Sequence, residues 1–186
     1  QIAAIARTDW PQSGGAATYS NVLPSTDVAV PLAVKNYFTQ CSLVSVQNTN
    51  TTSQATATVE VYQTGQATPA VSPSFQIPPG TSTTVSLCDD EEFETLPDGF
   101  LGSIRVKSQN EIGVQSFIDL TESKQAVYAF EGVPVTNAAS VLYAPLFRSR
   151  QLMNPRDPAN SAKMDTGISV VNTASTPVQV KVEFFG

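Results

Sequence analysis

Five carboxylates stand within six residues at Asp89-Asp90-Glu91-Glu92-Phe93-Glu94, the densest cluster of chemistry-bearing side chains in the chain. Hard oxygen ligands of this kind suit Ca²⁺. The run lacks the spacing of an EF-hand loop and has no Gly in the tight-turn position. A solvated acidic loop is the plainer account, and Arg148, Arg150 and Arg156 are candidate ionic partners for it. No resident metal or other cofactor is expected; Asp89, Asp90, Glu91, Glu92 and Glu94 are the one calcium candidate.

The sequence contains no histidine, which removes Ser-His-Asp and Cys-His catalysis and imidazole-based metal sites. It has no Gly-rich phosphate loop; Gly14-Gly15 is a lone pair in a Ser-containing linker. A glycosidase needs two carboxyl groups flanking one cleft, and Glu60, Asp119, Glu122 and Glu183 are scattered over strands and turns. The chain is therefore expected not to be an enzyme and to have no catalytic residues. Asn50-Thr51-Thr52 is an N-glycosylation sequon in a turn, so Asn50 is a candidate acceptor. Trp10 and Tyr19 offer either an aromatic contact for a partner or a packing plug behind the first strand.

Cys41 and Cys88 are the only cysteines. An even count in a chain of secreted character suggests a disulfide, the alternative being two buried thiols. Both lie at predicted strand ends. The closed loop would span 47 residues, worth roughly 3–4 kcal/mol in the chain-entropy account.

The chain has 186 residues, 41% of them hydrophobic but only 14% charged, with a net charge of −6. Such a chain can bury a core and repels phosphate backbones, so nucleic acid is not an expected partner. No apolar run reaches the roughly 18–20 residues of a spanning helix, and no membrane span is expected. The sequence opens on a strand-like segment, without a basic-then-apolar signal peptide, so a processed N-terminus is expected.

The elements that must position these residues are strands. Ala57, Val59 and Val61 alternate with Thr56, Thr58, Glu60 and Tyr62; Val178, Val180, Val182 and Phe184 alternate with Gln179, Lys181 and Glu183. Period 2 with one wet and one buried face is the signature of a half-buried strand. Predicted strands cover 2–7, 28–35, 42–48, 55–63, 71–77, 81–87, 101–108, 111–120, 124–130, 140–148, 166–172 and 177–185. Pro78-Pro79-Gly80 and Leu96-Pro97-Asp98-Gly99-Phe100 predict turns. The only helical candidate is one turn near 90–95. The fold class is all-β, an immunoglobulin-like β-sandwich. Residues 1–27 form a donor-like strand and linker, 28–120 a complete seven-stranded unit, and 121–186 a partial second unit.

The partial unit is inferred from an internal repeat. Pro31-Leu32, Ser45-Val46-Gln47-Asn48-Thr49 and Val59-Glu60-Val61-Tyr62 recur as Pro145-Leu146, Ser169-Val170-Val171-Asn172-Thr173 and Val182-Glu183-Phe184-Phe185. The second copy carries an insertion, Met153–Asn160, and nothing resembling residues 66–110. The opening Gln1-Ile2-Ala3-Ala4-Ile5-Ala6-Arg7 has a weaker echo in Asn110–Ser116.

Several motifs carry a resemblance. They are Val30-Pro31-Leu32 with Lys35-Asn36-Tyr37, Val46-Gln47-Asn48, Pro79-Gly80, Leu96–Ser103, and Tyr143-Ala144-Pro145-Leu146 leading into Thr166–Asn172. From about Ile2 to Phe185 the chain resembles the tandem extracellular immunoglobulin-like repeats of large secreted or surface proteins of Chloroflexi-type filamentous bacteria. Phe38-Thr39-Gln40-Cys41 stands where members of that family often carry an aromatic-Gly-Trp step, so the cysteine pair is a local addition. The resemblance implies a cell-surface location and is mute on activity.

Three geometries complete the second unit: the opening strand folds back within its own chain, it enters another molecule, or the chain belongs to a longer array. The expected function is a structural protein of the cell exterior that self-assembles by strand donation into a filament or surface layer. Ile2, Ala3, Ala4, Ile5 and Ala6 form the donated face, and other copies of the chain are the expected partner. The alternative is a carbohydrate- or surface-binding adhesin module, for which glycans would be the partner.

Overall fold

A computed structural model of the chain describes residues 5–10, 15–20, 22–120, 127–142, 151–152, 163–164 and 167–184. Two compact units emerge, one comprising 1–138 with 171–186, the other 139–170.

The first unit is all-β, as the alternation implies. Its opening hairpin pairs β1 (Ile5–Trp10) with β2 (Gly15–Ser20) antiparallel, Ile5 opposite Ser20 and Trp10 opposite Gly15. The main sheet contains β3 (Ser25–Tyr37), β4 (Gln40–Asn48), β5 (Ala55–Gln63), β6 (Ser74–Ile77), β7 (Ser82–Ser86), β8 (Phe100–Leu120), β9 (Val127–Glu131) and β10 (Val133–Pro134). All its pairings are antiparallel, and it curls toward a barrel.

β8 organises the sheet. Its first half lies between β3 and β5, with Val106 opposite both Val28 and Val59. Its second half lies between β4 and β9, with Gln115 opposite both Ser45 and Glu131. The sequence predicts a break near Gln109-Asn110, yet the strand runs through. The polar residues there bond to the neighbouring turn instead of closing one of their own: Asn110 Nδ2 donates to the Gln54 carbonyl at 3.0 Å, and Gln109 Oε1 accepts from Thr56 N at 3.1 Å. Gly102 is required at its place in β8, because a Cβ there would collide with the Tyr62 backbone carbonyl of β5.

The core is filled by one face of each strand. Val28, Val30 and Ala33 of β3, Val44 and Val46 of β4, and Ala55, Ala57, Val59 and Val61 of β5 face Ile104, Val106, Ile112 and Val114 of β8. The predicted turns form with positive φ at Gly80 (66°) and Gly99 (77°), where glycine has no Cβ penalty. The helical candidate is a single 3-10 turn, Glu91–Phe93, whose Phe93 is fully buried and stacks on Phe75. β9 and β10, from the segment expected to open the second unit, add to this sheet through β8 and β3, so it extends past residue 120.

In the second unit β11 (Gln151–Leu152) pairs antiparallel with β12 (Lys163–Met164). The predicted strand 140–148 lies outside the described residues from 143 on, as do Arg148, Arg150, Arg156 and the 153–160 insertion. The predicted strands 166–172 and 177–185 are described over 167–184, and no strand forms there.

Candidate assembly interface

The site follows from laying the second copy over the first. In the first copy β4 ends at Asn48, whose side chain is fully buried and closes the β4–β5 turn. Its Oδ1 accepts from Asn50 N at 3.0 Å, and its Nδ2 donates to the Ser53 carbonyl at 2.8 Å and the Ile77 carbonyl at 3.1 Å. Asn172, its counterpart in the repeat, does the same locally. Its Oδ1 accepts from Ala174 N at 3.0 Å, and its Nδ2 donates to the Thr176 carbonyl at 2.8 Å. An Asx turn of this kind is encoded by the residue and its immediate neighbours, so it forms in both copies.

What differs is the packing. Val44, Val46, Ala55, Ala57, Val59 and Val61 are all at 0% exposure in the first copy. Their counterparts Ile168, Val170, Val178, Val180, Val182 and Phe184 are 48–65% exposed. The polar face alternates as the sequence predicts. Lys181 and Glu183 pair with each other, as Lys107 and Glu60 pair at 2.9 Å in the first copy. In the first copy β4 and β5 both pair with β8 in one sheet; over the described residues 167–184 no strand ladder forms. Returning one half-exposed valine to a core contributes about 1 kcal/mol, so three on one face are worth covering.

The other end of the candidate site is the opening hairpin. Ile2, Ala3 and Ala4 lie outside the described residues, while Ile5 and Ala6 sit in β1, opposite Ser20 and Tyr19 of β2. Only one edge of β1 is paired among the described residues.

Cys41 and Cys88 form a disulfide, with Cα atoms 6.1 Å apart. It lies two residues beyond the Leu43–Ser86 pair on both strands, tying β4 to the loop after β7. The acidic run that follows is a turn-closing device. Ser86 Oγ donates to Asp89 Oδ2 at 2.7 Å and Ser86 N to Asp90 Oδ2 at 2.8 Å, while Glu91, Glu92 and Glu94 are exposed. Among the described residues no three acidic, histidine or cysteine side chains gather closely enough to hold a metal ion. Sequence reasoning missed Lys35. Its buried ammonium donates to the Phe93 carbonyl at 3.0 Å and the Glu94 carbonyl at 3.4 Å, clamping the 3-10 turn. The apolar face that β3 presents to the core gives no sign of it.

Asn50 Oδ1 accepts from Thr52 N and Ser53 N, both at 2.9 Å, so the sequon asparagine shapes an exposed turn. The outer face of the sheet pairs its own charges. Arg105 donates two hydrogen bonds to Asp27 at 2.6 and 2.7 Å, and these raise its pKa above the ordinary arginine value. Tyr62 donates to Glu60 at 2.7 Å; burial, then that bond, pushes its phenol up to about 12.

No known protein family matches the sequence, and no curated protein matches it. Among solved structures the chain is similar to the crystal structure of Thermotoga maritima 1070, with a TM-score of 0.49 and 16% identity over 59% of this chain and 94% of that one. It is also similar to the Anabaena sensory rhodopsin transducer, with a TM-score of 0.43 and 16% identity over 52% of this chain and 98% of that one. At this distance neither likeness bears on function.

Proposed function

We propose that the protein is an extracellular structural subunit that self-assembles, strand against strand, into a filament or surface layer. One observation supports this above the others: Val178, Val180 and Val182 are 51–58% exposed where Ala55, Ala57 and Val59 are at 0%. A sequence that keeps the core-facing period of a strand and leaves that face in water is shaped for a partner. In this reading each unit is an immunoglobulin-like building block, as the family resemblance implies, and it performs no catalysis. The disulfide suits an oxidising exterior. A head-to-tail contact between copies whose rotation does not close into a ring propagates into a filament.

The test is removal of residues 1–9 followed by negative-stain electron microscopy. The intact chain is expected to form polymers and the shortened chain to remain as single soluble subunits. Polymers that persist after the deletion would refute donation by the opening strand.

A further inference from the structure

The β3–β4 hairpin holds an aromatic ring out in water on an unfavourable backbone. Tyr37 pairs with Gln40, leaving Phe38 and Thr39 as a two-residue turn. Both adopt positive φ, 49° and 62°. Such a turn favours Asn-Gly, because a Cβ is crowded there, most of all on a bulky or β-branched residue. Asn36 before it is also at positive φ, 48°, where the β3–β4 register shifts. Phe38 is 78% exposed, the most of any large hydrophobic side chain among the described residues. A single exposed hydrophobic is ordinary; one held out by backbone strain points to a use.

The turn is braced. The Tyr37 ring packs edge-on against Phe38, with centroids 4.7 Å apart. Asn36 Nδ2 donates to Asp98 Oδ1 at 2.7 Å. A fixed aromatic loses little freedom when a partner covers it, which is the character of a binding hot spot.

Its surroundings are acidic. Through the Phe93 and Glu94 carbonyls, Lys35 holds the acidic 91–94 turn against the end of β3, and Asp119 stands opposite Cys41. Glu91, Glu92, Glu94 and Asp98 are exposed, whereas Lys35 is buried. The chain's own cations narrow the choice of partner. Of its ten Lys and Arg, Lys35 is held by those carbonyls, and Arg105, Lys107 and Lys181 by Asp27, Glu60 and Glu183. Four of the other six, Arg148, Arg150, Arg156 and Lys163, fall between 148 and 163. The three arginines share their stretch with Phe147, Leu152 and Met153.

We propose that the Phe38 turn of one molecule docks on the arginine-bearing stretch 146–156 of a second copy. Phe38 meets its apolar and guanidinium groups, and the carboxylates around the turn face its arginines. This rests on the assembly reading and adds a second contact to the strand contact. A guanidinium stacks favourably on an aromatic face, and the acidic rim steers the approach.

The test is sedimentation velocity of the full chain and three variants. Phe38→Asn with Thr39→Gly installs the residues this turn favours, so the subunit is expected to keep or raise its Tm while association weakens at least about tenfold. Glu91→Lys, Glu92→Lys and Glu94→Lys together form the second variant, and Arg148→Glu, Arg150→Glu and Arg156→Glu together the third. Each alone is expected to associate at least about tenfold more weakly. An equal mixture of the two is expected to regain association, because the reversed charges of one then meet those of the other; a contact within one chain would show no such recovery. Association unchanged by Phe38→Asn with Thr39→Gly, or no recovery in the mixture, would overturn this contact and leave strand donation standing. An intact chain that stays monomeric at every concentration would overturn both.

Discussion

Val59→Asp is expected to unfold the protein, and Val182→Asp to leave it folded and unable to assemble. The two valines hold the same place in the repeat, so the contrast isolates their surroundings. Val59 is fully buried, opposite Val106 of β8 on one side and bonded through its N–H to the Pro73 carbonyl at 2.9 Å on the other. A carboxylate there loses a buried side chain and must either ionise in an apolar core or remain protonated without partners. Either course costs several kcal/mol, comparable to the whole stability of a domain, about 5–15 kcal/mol. Val182 is 51% exposed, and a carboxylate there meets water. Its effect on the monomer's unfolding free energy, measured by urea titration, is expected to stay within about 0.5 kcal/mol. Once that face is covered by a second copy, the same carboxylate is buried at the contact. A penalty of about 3 kcal/mol weakens association more than a hundredfold. Urea unfolding read beside sedimentation velocity separates the effects. A monomer destabilised as much by Val182→Asp as by Val59→Asp would mean that the 178–184 face already packs within the subunit.

Removing the disulfide with Cys41→Ala and Cys88→Ala is expected to destabilise the unit by roughly 3–4 kcal/mol. The bond closes a stretch of 47 residues that contains β5, β6 and β7, so its loss frees much of the sheet in the unfolded chain. For a protein of this size that corresponds to a fall in Tm of about 10 °C, measurable by calorimetry. The residues of the 178–184 face are remote in sequence from the bond, and assembly is expected to survive below the lowered Tm. A Tm unchanged by the double substitution would contradict this account of the bond.

The strands of the first copy were legible because their neighbours agree with them. β5 reads as alternating apolar and polar, and its burial alternates in the same phase. Pro78-Pro79-Gly80 and Asp98-Gly99 mark turns through backbone constraints that no tertiary contact overrides. The disulfide was legible from two cysteines at strand ends, the strands proving adjacent. Other features depend on partners distant in sequence. Gln109-Asn110 looks like a turn and is held extended by bonds to Gln54 and Thr56. Lys35 is buried because carbonyls of Phe93 and Glu94 wait for it. The second copy is the instructive case. Gly167–Phe184 has the period of strands, and its Asx turn forms from local sequence alone. A ladder needs a paired neighbour, however, and among the described residues no strand pairs with it. Period 2 states which face wants burial; it does not state what supplies the cover.

The most direct test of assembly through the second copy is hydrogen exchange of the backbone amides over 178–184, measured as protein concentration rises. Self-association predicts fast exchange in dilute solution and strong protection at concentrations where sedimentation reports polymers, with β5 protected throughout. Amides of 178–184 that exchange at the same rate in monomer and polymer would contradict it.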